Sequence, residues 1–180
     1  TMMAATMAPT TATTTPARGL LLYMFERGHW TQTGALPPVI EATSTDDLSL
    51  AEIGGQWMLA VRTADRHIDI WRHDGSTWDK IADIAAASEV KRFELLELSG
   101  HGRLWITDDQ QPGWMYMSER KWANPVALEV EGTAQGPFTA AVHSNLFRLI
   151  FTRDAKLLEQ AYGADGKHEQ QTTLDLPPLL

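Results

Sequence analysis

The 180-residue chain contains no cysteine. That removes disulfide frameworks, thiolate nucleophiles and Cys-ligated zinc together, while leaving the cellular compartment open. Basic residues are in short supply as well: 15 lysines and arginines stand against 23 aspartates and glutamates, for a formal charge of -8. A surplus of that sign repels a phosphate backbone, so nucleic acid is not an expected partner. Long apolar runs are missing too. The densest cluster, Leu20-Leu21-Leu22, falls far short of the roughly 20 residues a spanning helix needs, so no membrane span is expected. The six histidines never take an HxH or HExxH spacing, and there is no GxGxxG, no P-loop and no GxSxG elbow. Neither a metal nor a cofactor is expected.

What remains is 43% hydrophobic, enough for one ordinary domain with a sizeable core. Residues 1–18, which open TMMAATMAPTTATTTPA, have no basic n-region and no apolar h-region, so they do not read as a signal peptide. Their Thr, Ala and Pro content reads as a linker or tail outside the fold.

The rest of the chain repeats. LSLAEIGG (48–55), FELLELSG (93–100) and FTAAVHSN (138–145) align without gaps, so that Gly55, Gly100 and Asn145 recur every 45 residues. Gly and Asn tolerate positive φ, and each segment reads as a short strand closed by a turn that needs such a residue. LAVRTAD (59–65), RLWITDD (103–109) and RLIFTRD (148–154) follow as second strands. In them Thr63, Thr107 and Thr152 each precede an aspartate, Asp65, Asp109 or Asp154, by two places. A hairpin comes next, opened by Tyr23, Trp71, Tyr116 or Tyr162 and closed by Trp30, Trp78, Trp122 or, more weakly, His168. Two of its turns contain Asp-Gly, at Asp74-Gly75 and Asp165-Gly166.

Four short strands in about 45 residues are the signature of a β-propeller blade. The expected architecture is all-β: a half blade at 20–36 and blades at 48–84, 93–130 and 138–176. A sandwich or barrel is the alternative, but it does not require strand pairs to recur with one fixed order of turn residues.

DGSTW at 74–78 resembles the Asp-box hairpin of sialidase-type propellers, in which an Asp, a Gly and an aromatic lock the turn between third and fourth strands. Here Asp and Gly are adjacent, one residue closer than usual. The resemblance implies a folding role for Asp74, Gly75 and Trp78, because the box lies on the face away from that family's active site. Sialidases also use arginines from separate blades and a nucleophilic tyrosine. The tyrosines here define the repeat instead of breaking it, which marks them as packing residues.

The aspartates of the second-to-third-strand turns are expected to cap their own turns and not to form a metal ring. Trp30, Trp71, Trp78 and Trp122 fall on repeat positions and are expected in the packing. Trp114, after Gln110-Gln111-Pro112-Gly113, is the candidate for an exposed contact. With the rim residues Arg66, His67, Asp108, Gln110, Gln111 and Arg153 it forms the expected binding set. No catalytic residue is assigned. Three and a half blades cannot close a ring, so the favoured reading is a non-catalytic interaction or scaffold module completed by a partner chain, a second copy or upstream blades. A carbohydrate-binding propeller and a sialidase-like glycoside hydrolase fragment are the alternatives.

Overall fold

The computed structural model describes residues 2–7, 20–26, 29–35, 47–130 and 134–174. The described elements are almost all strands, grouped into four antiparallel sheets. The first contains β1 (Met2–Met7), β2 (Leu20–Glu26) and β3 (His29–Ala35). Three four-stranded sheets follow. One holds β4 (Leu48–Ile53), β5 (Gln56–Ala64), β6 (His67–His73) and β7 (Trp78–Ala85). The next holds β8 (Arg92–Leu98), β9 (His101–Thr107), β10 (Trp114–Met117) and β11 (Val126–Ala127). The last holds β12 (Gln135–His143), β13 (Leu146–Arg153), β14 (Lys156–Tyr162) and β15 (His168–Leu174). Within each the strands lie in sequence order, as four-stranded blades require.

In the stretch expected as a half blade, β2 pairs with β3, and β1 makes the sheet three-stranded by pairing with β2 from Met2↔Phe25 to Met7↔Leu20. Met2–Met7 fall within the segment read from composition as a tail. The hairpin's free edge offers main-chain groups to any segment able to run extended beside it, a property composition does not record.

The first-to-second-strand turns are two-residue hairpins with both central residues at positive φ: Gly54 57° and Gly55 78°, Ser99 55° and Gly100 76°, Ser144 52° and Asn145 58°. That is the turn whose twist matches the flanking strands, which explains the recurrence of Gly or Asn at its second place. Two of these tips are tied to their neighbours. Gly54 N–H donates to Glu97 Oε2 at 3.0 Å, and Ser99 donates through both its N–H and Oγ to Asn145 Oδ1, each at 3.0 Å.

Counted from these turns, Leu59, Leu104 and Leu149 are equivalent, each lying opposite the inner strand at Leu50, Leu95 and Ala140. The shorter interval from Thr63 to Thr107 arises because β5 carries one extra residue, with a bulge between Arg62 and Ala64. Aligning second strands on the Thr-x-Asp signature therefore slips the first blade by one residue, which exchanges its two faces. Tyr162 is displaced likewise: it lies opposite Phe147, whereas Tyr116 and Trp71 lie opposite Leu104 and Leu59. A shift of two residues keeps it on the same face.

The inner strand β8 lies beside β4 on one side and β12 on the other, so the blades stand face to face around their inner edges. Ala60, Ile68, Ile70 and Ile84 of the first blade meet Leu95, Leu104, Ile106, Tyr116 and Trp122 of the second. Leu98, Trp105, Met115 and Met117 leave the second blade's other face to meet Phe138, Phe147, Leu149, Phe151 and Tyr162 of the third. Burying each large apolar side chain contributes about 2 kcal/mol, so these seams between blades carry the fold. Trp122 reaches its seam from a hairpin in which Lys121, Trp122 and Asn124 all have positive φ. Its ring occupies the space above Gly102, where a Cβ would come within 2.5 Å of Trp122 Cη2.

Candidate functional site

The starts of the three inner strands converge on a cavity of about 500 Å³. Leu48, Phe93 and Phe138, which are equivalent in the repeat, all line it, with Glu94 and Thr139 beside the latter two. Arg62, Lys91, Arg92, Trp105 and Asp109 complete the wall.

Each cation of this wall is held by its own carboxylate. Arg62 donates from Nε and Nη2 to Asp47 Oδ1 at 2.8 and 2.5 Å, and from Nη1 to the Val90 carbonyl at 2.8 Å. Lys91 pairs with Glu89, and Arg92 Nε donates to Asp109 Oδ2 at 3.2 Å. Glu94 is different. Its recorded partner is the Ser49 hydroxyl at 3.4 Å, which itself accepts the Leu95 N–H at 2.9 Å. Burial pushes the Glu94 carboxyl above its ordinary range, and the Ser49 hydrogen bond offsets this only in part.

The binding set expected from sequence lies on three blades, at the second-to-third-strand turns and the strand ends beside them. Arg66 donates from Nη2 to the carbonyls of Ala86 and Ala87, at 3.2 and 2.7 Å, and so braces the segment leaving β7. The exposed ring of His67 has Nδ1 3.4 Å from Asp83 Oδ1. Asp108 Oδ1 accepts the N–H groups of Gln110 and Gln111 at 3.0 and 3.1 Å. In that loop Asp108 is the capping carboxylate, while Asp109 turns to Arg92. Gln110 and Gln111 are exposed and line a separate hollow of about 410 Å³ with Leu128 and Glu129. Arg153 is half-buried at the end of β13. Trp114 does not stand out from the loop: it is half-buried and packs against the seam between first and second blades. Within this set, Asp108, Gln110 and Gln111 are joined through the turn they share.

Sequence reasoning passed over Glu94, Arg62, Lys91 and Arg92. A signal for Glu94 was nevertheless present. In the aligned inner strands its counterparts are Ser49 and Thr139, so a lone carboxyl interrupts two hydroxyls.

No protein-family model matches the chain, and no curated protein matches it. Solved structures do. A GH43 glycoside hydrolase, engineered at its active site to display both endo-xylanase and exo-arabinofuranosidase activity, superposes with a TM-score of 0.52 at 12% identity, over 87% of this chain and 36% of its own. A quinonprotein alcohol dehydrogenase-like protein from Bacteroides thetaiotaomicron gives a TM-score of 0.52 at 12% identity, over 86% of this chain and 40% of its own. Both neighbours are propellers. The chain folds as part of a β-propeller. It spans well under half the length of either neighbour. At such identity the likeness concerns architecture, and fold alone does not carry activity.

Among the described residues no helix is long and apolar enough to cross a membrane, and no group of three or more His, Asp or Glu side chains is placed to hold a metal ion.

Proposed function

We propose that the chain is a non-catalytic interaction or scaffold module: a partial propeller whose ring is completed by a partner chain, a second copy or further blades. The observation that carries this reading is the mismatch between equivalent positions of adjacent blades. Arg103 and Trp105 of the second blade point toward the third and are sealed, at 2% and 1% exposure. Arg103 donates to Glu119 at 2.6 and 2.7 Å and reaches across to the Ala164 carbonyl at 3.1 Å. Their counterparts on the third blade, Arg148 and Ile150, are only half-buried, next to the exposed Thr139, Ala141 and His143. Arg148 has an in-blade carboxylate, Glu159, as Arg103 has Glu119. The third blade thus offers a further blade the same kind of arginine contact that it receives from the second.

Asp74 supports the folding role implied by its Asp-box-like turn. Its Oδ1 accepts the N–H groups of Ser76 and Thr77, both at 2.8 Å, and those bonds hold the carboxyl far below the usual carboxylate range. The wall of the cavity favours a binding role over glycoside hydrolysis, which draws on a matched pair of carboxyl groups. Asp47 and Asp109 are each tied to an arginine, and Glu94 accepts the Ser49 hydroxyl.

Light scattering on the purified chain tests the reading. The expected result is a species heavier than 20.0 kDa or a stoichiometric co-purifying protein, weakened by Arg148→Glu. A stable 20.0 kDa monomer that recruits nothing overturns it.

A further inference from the structure

We propose that the cavity at the convergence of the inner strands binds a small monoanionic organic carboxylate, received by Arg92 and Lys91. The sign of the wall leads there. Its lining carries Arg62, Lys91 and Arg92 against the carboxyl groups of Glu94 and Asp109. In a chain with 15 basic and 23 acidic residues that is a local reversal of sign. An anion is drawn to this mouth although the chain as a whole repels it.

The three cations differ in what they have left to donate. Arg62 is fully engaged, with Nε and Nη2 on Asp47 and Nη1 on the Val90 carbonyl. Arg92 bonds Asp109 through Nε alone, at 3.2 Å, and its Nη1 and Nη2 groups make no hydrogen bond among the described residues. That pair is the end of the guanidinium fork that receives a planar carboxylate through two parallel bonds. Lys91 has one carboxylate partner, Glu89, and further N–H groups to donate. From the third blade the exposed Thr139 hydroxyl borders the same cavity, also without a partner among the described residues.

The backbone that presents these cations is pinned. Val90 N–H donates to the Asp65 carbonyl at 2.8 Å, and the Val90 carbonyl accepts Arg62 Nη1 at 2.8 Å. Lys91 N–H donates to the Thr107 carbonyl at 2.9 Å. The segment is thus tied to the first and second blades before a ligand arrives, which leaves only side chains to be ordered on binding.

The rest of the wall narrows the class. Leu48 and the buried rings of Phe93, Trp105 and Phe138 border the cavity, apolar surface that a bare inorganic ion does not use. Glu94 and Asp109 limit the charge, because every negative charge beyond the first meets two carboxyl groups. About 500 Å³ is room for a ring bearing one carboxylate. The site lies within the three blades and goes beyond the scaffold reading, since it does not depend on how the ring is completed.

The test is calorimetric titration of the intact chain with sodium benzoate. Benzamide is the uncharged isostere, acetate keeps the charge without the ring, and phthalate adds a second carboxylate. The expected result is saturable benzoate binding with Kd on the order of 1 mM or tighter, at least about tenfold weaker for benzamide and for acetate, and no tighter for phthalate. Arg92→Lys keeps the charge and removes the fork, and should weaken benzoate about tenfold. The Arg92–Asp109 pair is largely solvated, so this variant should melt within a few degrees of wild type, which shows separately that it folds. The comparison of benzoate with benzamide on the wild-type chain needs no variant. Equal binding of benzoate and benzamide or of benzoate and acetate, tighter binding of phthalate, unaltered benzoate binding by Arg92→Lys, or no saturable heat at millimolar benzoate overturns the proposal.

Discussion

The second and third blades are built from the same repeat and differ in what their faces meet. The second is sealed on both sides: Leu104 and Ile106 go into the seam with the first blade, Arg103 and Trp105 into the seam with the third. The third seals Phe147, Leu149 and Phe151 against the second, while Arg148 and Ile150 on its other side stay half-buried. Position within a strand therefore does not set the worth of a side chain here. An arginine at one repeat position is a buried clamp in one blade and a partly solvated ion pair in the next, because the first reaches the Ala164 carbonyl of the adjacent blade, whereas the second bonds to the His143 carbonyl and Glu159 of its own blade.

The largest expected effect follows from that contrast. Arg103→Ala removes a sealed guanidinium from Glu119 and from the Ala164 carbonyl, and should cost about 3 kcal/mol of unfolding free energy in a urea titration. Arg148→Ala, which breaks the pair with Glu159, should cost about 1 kcal/mol or less in the same experiment. Equal losses would erase the distinction between the two blades. The pH dependence has a sign as well. Burial pushes the Glu119 carboxyl up, but its bonds to Arg103, its own backbone N–H and the charge of Arg103 together hold it below its ordinary range. Its contribution is present above the unfolded value and is lost as pH falls through the folded one, so the penalty of Arg103→Ala should shrink in acid.

Gly102→Ala probes the second blade's opposite face. The added Cβ would lie 2.5 Å from Trp122 Cη2 and 3.1 Å from Ile53 Cδ1, in a seam with no slack, and the expected loss is about 2 kcal/mol by the same measurement. An unchanged stability would mean that Trp122 does not stay in that seam.

The smallest effect is expected far from either seam, at the β6–β7 tip. Asp74→Ala should lower the melting temperature modestly near pH 7. Because Asp74 has a depressed folded value, the difference between variant and wild type should vanish as the carboxylate protonates in strong acid. A gap that persists there would show that the Asp74 carboxylate charge is not what orders the turn.

The repeat itself was legible without coordinates. Gly55, Gly100 and Asn145 declare turns that need positive φ, and strand pairs between such turns at a 45-residue interval leave few architectures other than blades. Less legible was anything that depends on register. The extra residue in β5 is silent in composition, yet it displaces the Thr-x-Asp signature by one place against Leu59 and Ala60, whose faces are set from the Gly54-Gly55 turn. Trp114 looked like a contact residue because it follows a polar loop, but its strand pairing with Ile106 and Ala127 draws it against the seam.

The candidate site shows the same division. The residues flagged from turns are spread over three blades, whereas the cavity collects groups from positions 48 to 139 that no local pattern links. Residue order alone determined the strands, their turns and their grouping into blades, because φ preferences and two-residue alternation act over short stretches of chain. Which carboxylate meets which arginine was decided by how the strands of each blade pair, and which arginine is sealed by how one blade packs on the next, since Coulomb and packing terms depend on distance in space.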